Sequence, residues 1–506
     1  MAAPHVAGIG ALMVAAKPNR TPQQIKAGIM NTATHDVYSQ AGPQGPIYGP
    51  ERVGAGRVDA LDALDNGIIA YDADAADHVS VAFGVVDVAD EDVVLERTIT
   101  VENLDNPRGA VQFRPRFEAA TTTGGATITT SPSRVVLPPG RSQDVTVTLT
   151  VDPRTLEREI DPTSDAMSAV GVPREYVAAL SGQIVLDPPG NSHMPLQVPV
   201  HAAPRLVSEV NTEPVEFGAA DEFSVPLENT GRHVDSGGWN SLTSVLELMA
   251  TSPALDPADE LETSPTQVAA GDLRYVGAMS TAPELEAAGI DPSAGYVGIG
   301  MAMEGEWPTL GTTTVPIIHT DLTGDGNPDL ETVVQKIDIA TDVTLAATFD
   351  LRTEPASQYL MAINGMWGDV DTTVYDNNVL VAPIPLSLFE PGDEPTFTVW
   401  THSSYAPSAD NVIDSVEPFN YNPFEPNVWT TGGALNNVWS PSDADVTMHR
   451  SGDAGADIGE LLVLHSHNER AERAQVVDVT VPETGPDVTA SESEEEEREP
   501  ETVGVP

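Results

Sequence analysis

The stretch Asp321–Asp329 carries an oxygen-bearing side chain at every second position, Asp321, Thr323, Asp325, Asn327 and Asp329, with Gly326 where the chain must turn sharply. A hard cation needs about six to eight oxygens, and alternate positions of a looped segment can converge on one centre. The spacing matches the first, third, fifth, seventh and ninth positions of an EF-hand-like loop, and calcium is the ion expected there. The twelfth position is Thr332 rather than a bidentate Glu, which weakens such a site or makes it borrow a ligand. An acidic turn between two strands is the competing reading. His465 and His467 would share one side of a strand and form half a zinc site, yet no third ligand is specified nearby, so a structural role is expected. Asp369 and Asp371 have the two-carboxylate composition of a glycosidase site, but their Thr and Asn neighbours suit a turn, and a solvated loop is expected.

The positions that chemistry leaves unexplained cluster in the first seventy residues. Thr21-Pro22 supplies a helix N-cap followed by proline at the first helical position, with a helix expected over Gln23 to Asn31. Met1-Ala2-Ala3-Pro4-His5-Val6-Ala7-Gly8 opens an apolar run that reads as a buried helix. It lacks the basic start of a signal peptide, since its only Lys comes after the apolar stretch.

From its methionine onward this octapeptide resembles the serine-site signature G-T-S-M-A-A-P-H-V-A-G of the subtilisin-like serine proteases (subtilases, peptidase S8). Two further segments match in order. TPQQIKAGIMNTA resembles the family's T-P-x-x-[IV]-K-x-x-[LI]-x-x-T-A element, and Gly54-Ala55-Gly56-Arg57-Val58-Asp59-Ala60 resembles the G-x-G-x-[VI]-[DN]-A element before the last helix of the catalytic domain. The resemblance implies a nucleophilic serine directly before Met1, at the N-terminus of a helix whose dipole and free N–H groups favour developing negative charge. It implies small residues where that helix packs on a central sheet; Ala2, Ala3, Ala7, Gly8, Gly10 and Ala11 supply them. The family's catalytic aspartate and histidine and its oxyanion-hole asparagine lie upstream of the matched segment. His5 belongs to the helix motif and is not the catalytic histidine. The chain as written is therefore expected to be inactive, a fragment of a gene starting at the internal methionine being favoured over a true truncation.

Those elements stand at the head of a long acidic chain. Its 77 Asp and Glu against 23 Lys and Arg are spread throughout the 506 residues, and Lys17, Lys26 and Lys336 are the only lysines. A phosphate backbone would be repelled almost everywhere, so nucleic acid is not an expected partner. A surface of carboxylates suits high salt or divalent cations. There are no cysteines, which excludes disulfides, thiolate metal sites and cysteine nucleophiles. No run of about 18 apolar residues is present, so no membrane span is expected.

A single core stops growing at roughly 250–300 residues, so two or three domains are expected. Short alternating or β-branched runs at His78–Phe83, Val93–Val101, Val111–Phe117, Ala126–Thr130, Val145–Val151 and Leu196–Val200, with turn residues between them, predict a sandwich. The run from Val135 through Pro138-Pro139-Gly140 to Leu149 resembles the fibronectin type III-like domain of large subtilases. The expected organisation is a remnant of a subtilisin-like catalytic domain at residues 1–72, a fibronectin type III-like β-sandwich at 73–204, a β-rich accessory region of one or two domains at 205–482, and a disordered acidic tail at 483–506. The fold class is mostly β, with the residual C-terminal helices of an α/β subtilisin domain followed by the sandwich and further β-rich domains. Functionally the resemblance implies the C-terminal portion of a secreted, extracellular serine endopeptidase acting on protein or peptide substrates. A non-catalytic extracellular β-sandwich binding or adhesion protein with a relic protease segment is the alternative.

Overall fold

The computed structural model describes residues 2–35, 37–105, 109–190, 192–216, 222–229, 242–256, 264–337, 341–363, 375–406, 410–431, 440–441, 445–451, 459–470 and 472–480. The expectations for Met1, for Asp369 and Asp371, and for the acidic tail lie outside the described residues. The fold is mostly β, with 48% strand and 13% helix.

Two sheets form the first sandwich. One runs in the order Val81–Val88, Leu196–Leu206, Leu180–Asp187, Val111–Thr121, Val135–Leu137, and the other Ile68–Asp72, Val93–Asn103, Arg141–Val151, Ala126–Ser131. Strict alternation along Arg141–Val151 turns Val145, Val147, Leu149 and Val151 inward, where they meet Phe113, Val135, Ile184 and Val198 of the facing sheet. Sheets with this period-two pattern must bury one face each, and a shared core is the result. Gly140 has φ 68° in the turn before Arg141, a left-handed conformation that a side chain would strain. The strand expected at His78–Phe83 starts only at Val81, because His78 closes a turn: its carbonyl accepts the Asp72 N–H at 2.9 Å and its N–H donates to the Ala75 carbonyl at 2.8 Å. Ile68–Asp72, placed with the helical remnant by the sequence, pairs with Val93–Asn103 and belongs to the sandwich.

Beyond residue 207 an eight-stranded sheet is built around Leu242–Thr251, Leu273–Ser280, Tyr296–Trp307, Asn377–Pro385 and Glu460–His465. Its Val276, Ile299 and Met301 pack with Ile318, Leu330, Phe397 and Val399 of a seven-stranded sheet. Val245, Leu461 and Val463 pack with Phe223, Val428 and Met448 of a three-stranded sheet. Gly300 lies under Leu246, whose Cδ2 would sit 2.6 Å from an added Cβ. A side chain there would force Leu246 to shift.

The first sandwich and this second β region are joined by a buried group of charges. Arg205, at the end of Leu196–Leu206, pairs with Asp87 at 2.8 Å and donates to the Tyr375 and Asp376 carbonyls at 3.3 and 3.2 Å. Arg473 holds Glu306 at 2.7 Å, donates to the Asp376 and Asn468 carbonyls at 3.2 and 2.9 Å, and lies 3.5 Å from Asp87. Burial alone would push the Asp87 carboxyl up, but Arg205 and Arg473 outweigh it and hold the group below the usual carboxylate range. Beside it, Asn468 accepts from Ser208 Oγ and the Val210 N–H and donates to the Val210 carbonyl at 2.7 Å.

Asp87→Asn leaves two buried guanidiniums without their shared carboxylate and should cost about 3–5 kcal/mol near neutral pH. Because the folded carboxyl titrates below its unfolded value of about 3.9, its contribution is complete above that pH and is lost as pH falls through it. Thermal melts from pH 7 to acid should therefore show the gap between wild type and Asp87→Asn closing below about pH 4.

Candidate functional site

Three helices carry the motif residues. The second, Pro22–Asn31, begins as expected: Thr21 Oγ1 accepts the Gln24 N–H at 3.2 Å, and Gln24 Oε1 accepts the Thr21 N–H at 3.1 Å. This reciprocal box satisfies two of the donors that a helix start leaves open. Asp59 caps the helix Ala60–Asp65 by accepting from the Leu61 and Asp62 N–H groups at 3.0 Å. Ahead of it, Arg57 exchanges backbone hydrogen bonds with Thr34 at 2.8 and 3.0 Å. Gly56 has φ 105° there, and an added Cβ would sit 2.2 Å from the Thr34 carbonyl oxygen. Only glycine permits that approach.

The opening helix spans Ala2–Ala16, and here the expectation of a buried helix is corrected. Ile9 and Met13 are buried, against Ile25, Ile29, Ala63 and Leu64. Ala2, Ala3, Pro4, His5, Val6, Ala7 and Gly8 are all exposed, and Leu12 and Val14 are each 53% exposed. Nothing lies within 4 Å of where a Cβ on Gly8 or Gly10 would be. The helix rests on the other two by one narrow stripe, and its small residues Ala2, Ala3, Ala7, Gly8 and Ala11 lie exposed beside it. His5 sits in the exposed first turn.

Beside the packing of Ala27 against Ile69 and Val79, one of the contacts that fix the helices to the sandwich is Asn31, fully buried at the end of the second helix. Its Nδ2 donates to the Gln197 carbonyl at 3.0 Å, and its Oδ1 accepts the Ala70 N–H at 2.8 Å. One amide thus bridges the two sheets of the sandwich to the helix. Arg20 reaches Asp105 and the Asn66 carbonyl, and Lys17 shares that carbonyl. Burial, and after it the Arg20 charge, lowers the Lys17 ammonium from its ordinary value.

The loop Asp321–Asp329 joins the strands Val315–Asp321 and Leu330–Lys336. Asp321 Oδ1 accepts the Thr323 and Gly324 N–H groups at 3.0 and 2.7 Å, and Oδ2 accepts that of Gly326 at 2.7 Å. Asp329 Oδ2 accepts from Leu322 and Thr323 at 2.8 and 3.1 Å, and Asp325 Oδ1 from Asn327 at 2.8 Å. Desolvation opposes the charge on Asp321, but the three backbone donors outweigh it and lower the carboxyl. Thr332 lies in the strand beyond the loop, buried and hydrogen-bonded to Thr348 at 2.9 Å. Among the described residues no group of three or more His, Cys, Asp or Glu is placed to hold a metal. His465 and His467 are both buried; His465 Nδ1 meets Thr243 Oγ1 at 3.1 Å, and burial pushes its imidazole down to about 4. The Arg205, Arg470 and Arg473 cluster escaped sequence reasoning. Its one trace is that arginines appear at all in a chain so poor in basic residues.

The sequence profile of the subtilase family matches residues 1–62. A subtilisin-like protease, SBT3, of Solanum lycopersicum is 32% identical over 24% of this chain and 16% of its own length. A second, SBT4.4 of Arabidopsis thaliana, is 29% identical over 31% of this chain and 22% of its own length. The chain thus matches under a quarter of the length of either relative. A crystal structure of the YadV chaperone aligns with 70% of the chain at 10% identity and a TM-score of 0.16, a superposition too poor to bear on the fold. Among the described residues no helix is long and apolar enough to cross a membrane.

Asn31→Ala removes the two side-chain bonds from the second helix to Gln197 and Ala70 and leaves a carbonyl and a buried N–H unmatched. About 1–3 kcal/mol should be lost. Limited proteolysis should then release the first sixty residues faster than in the wild type, with the sandwich core still resistant.

Proposed function

Residues 1–62 belong to the subtilase family, and from that premise we propose that the intact protein is an extracellular serine endopeptidase that cleaves protein or peptide substrates. The observation that carries the reading is the ordered set of three family elements, each at a helix start or turn where the family uses it. In the family's motif the nucleophile immediately precedes Met1, so the opening helix would aim its N-terminal N–H groups and dipole at the charge that develops on the attacked carbonyl. A histidine would take the serine proton and an aspartate would orient that histidine. By the order of the family's motifs, all three would come from residues upstream of the matched segment. The sandwich that begins at Ile68 is read as the fibronectin type III-like accessory unit, joined to the helices in part through Asn31. Reading the DNA upstream of Met1 tests the proposal: in-frame codons for Gly-Thr-Ser, and further back for the Asp and His motifs, are expected. The extended protein should hydrolyse casein and be labelled at that serine by a fluorophosphonate, whereas the 506-residue chain should do neither. Stop codons directly before Met1 would leave the non-catalytic binding reading in its place.

Calcium at Asp321–Asp329 is part of the same proposal, supported by the alternating oxygen donors around Gly326. A ligand that binds only the folded state raises stability once its concentration exceeds its Kd, whereas any salt screens the diffuse repulsion of an acidic chain. Millimolar calcium should raise the melting temperature of the wild type more than sodium at matched ionic strength, and should lose that advantage in Asp325→Ala. Equal effects of the two ions, or equal effects on the two proteins, would make the loop only an acidic turn.

A further inference from the structure

A cavity of about 640 Å³ opens beside the buried charges that join the two β regions, lined in part by Ala269, Glu304, Glu306, Pro308, Asp376 and Arg470. Glu306 is already matched, by Arg473 at 2.7 Å and by Arg470. Glu304 and Asp376 are not: among the described residues no hydrogen-bond donor reaches either carboxylate. Asp376 is nevertheless fixed in place. Its carbonyl accepts from both Arg205 and Arg473 at 3.2 Å, and its backbone is held at φ 48°. Three guanidiniums (Arg205, Arg470, Arg473) stand against four carboxylates (Asp87, Glu304, Glu306, Asp376), so one negative charge is left over on the cavity side. Burial keeps the Asp376 carboxyl above its ordinary range even with those three arginines nearby. Its charged form is therefore under-compensated where the cavity begins.

We propose that this cavity binds the basic side chain of a peptide, lysine or arginine, with the cation facing Glu304 and Asp376 and its methylene stem against Ala269 and Pro308. The volume lies within the roughly 300–1,000 Å³ of pockets that enclose small organic groups, far more than a bare ion fills. The described acidic groups are not arranged to coordinate a metal. A charged donor to a carboxylate in such partly desolvated surroundings makes the stronger class of hydrogen bond, and an aliphatic stem gains from covering apolar wall. The inference stands apart from the protease reading, since it uses none of residues 1–62.

Isothermal titration of the full chain in about 0.1 M salt, which damps diffuse attraction to an acidic surface, supplies the test. Acetyl-arginine amide and acetyl-lysine amide should bind saturably. Their neutral counterparts, acetyl-citrulline amide and acetyl-norleucine amide, should not. Glu304→Gln, at an exposed position, and Asp376→Asn should each weaken binding by at least about tenfold. Asn accepts the left-handed backbone and keeps the carbonyl that Arg205 and Arg473 need, so the second variant preserves the frame; an unchanged melting temperature of Glu304→Gln covers the case where it does not. The proposal falls if the neutral amides bind as tightly as the charged ones, or if both variants bind like the wild type. It falls equally if putrescine binds while the peptide amides do not, which would make the cavity a polyamine site.

Discussion

Asp87, shared between Arg205 and Arg473, is the contact on which the arrangement of the molecule depends. It is contributed by the strand Val81–Val88 of the first sandwich, and the two arginines reach it from the end of that sandwich and from the closing segment of the chain. Burying charges is costly unless each is matched, and removing one member of a matched group costs more than the group gains over an apolar substitute. Asp87, Glu306 and the Asp376 carbonyl divide the guanidinium donors among them, and Asn468 ties the adjoining linker by hydrogen bonds to Ser208 and Val210. Directional donors of this kind set an orientation between two β regions that apolar packing, which is tolerant of rotation, would leave looser.

This use of arginine has weight in a chain with 77 acidic and 23 basic residues. Where carboxylates are abundant, a guanidinium placed inside is surrounded by candidate partners. The surplus of acids then shows itself where the matching runs out, at Glu304 and Asp376. The same surplus is handled differently in the loop Asp321–Asp329, where the carboxylates turn to backbone N–H groups for compensation. Backbone donors there and arginines at the interface are two answers to one electrostatic problem.

The helical segment stands in contrast to both. Its interior stripe is narrow, its exposed apolar residues include Val6, Leu12 and Val14, and its hold on the sandwich combines the buried amide of Asn31 with a small apolar cluster around Ala27 and Ile69. In the family whose profile matches residues 1–62, the resemblance implies a sheet beneath such a helix. The small side chains of Ala2, Ala3, Ala7, Gly8 and Gly10 would suit that close packing, and at Gly8 and Gly10 no described atom lies where a Cβ would be.

Local chemistry was legible in the sequence. Thr21 before Pro22 makes the cap the residue types promise, and the alternation through Val145, Val147, Leu149 and Val151 faces the core, because each depends on neighbours within a few residues or on the period of a strand. The family segment was legible for the same reason, as contiguous motifs. The exposure of the opening helix was not, since burial is a property of what packs against a face. Nor were the pairing of Asp87 with arginines 118 and 386 positions away, the bridging amide of Asn31 or the cavity at Asp376. Those depend on where distant strands end, and only the tertiary structure brings their side chains close enough for charge to decide the outcome.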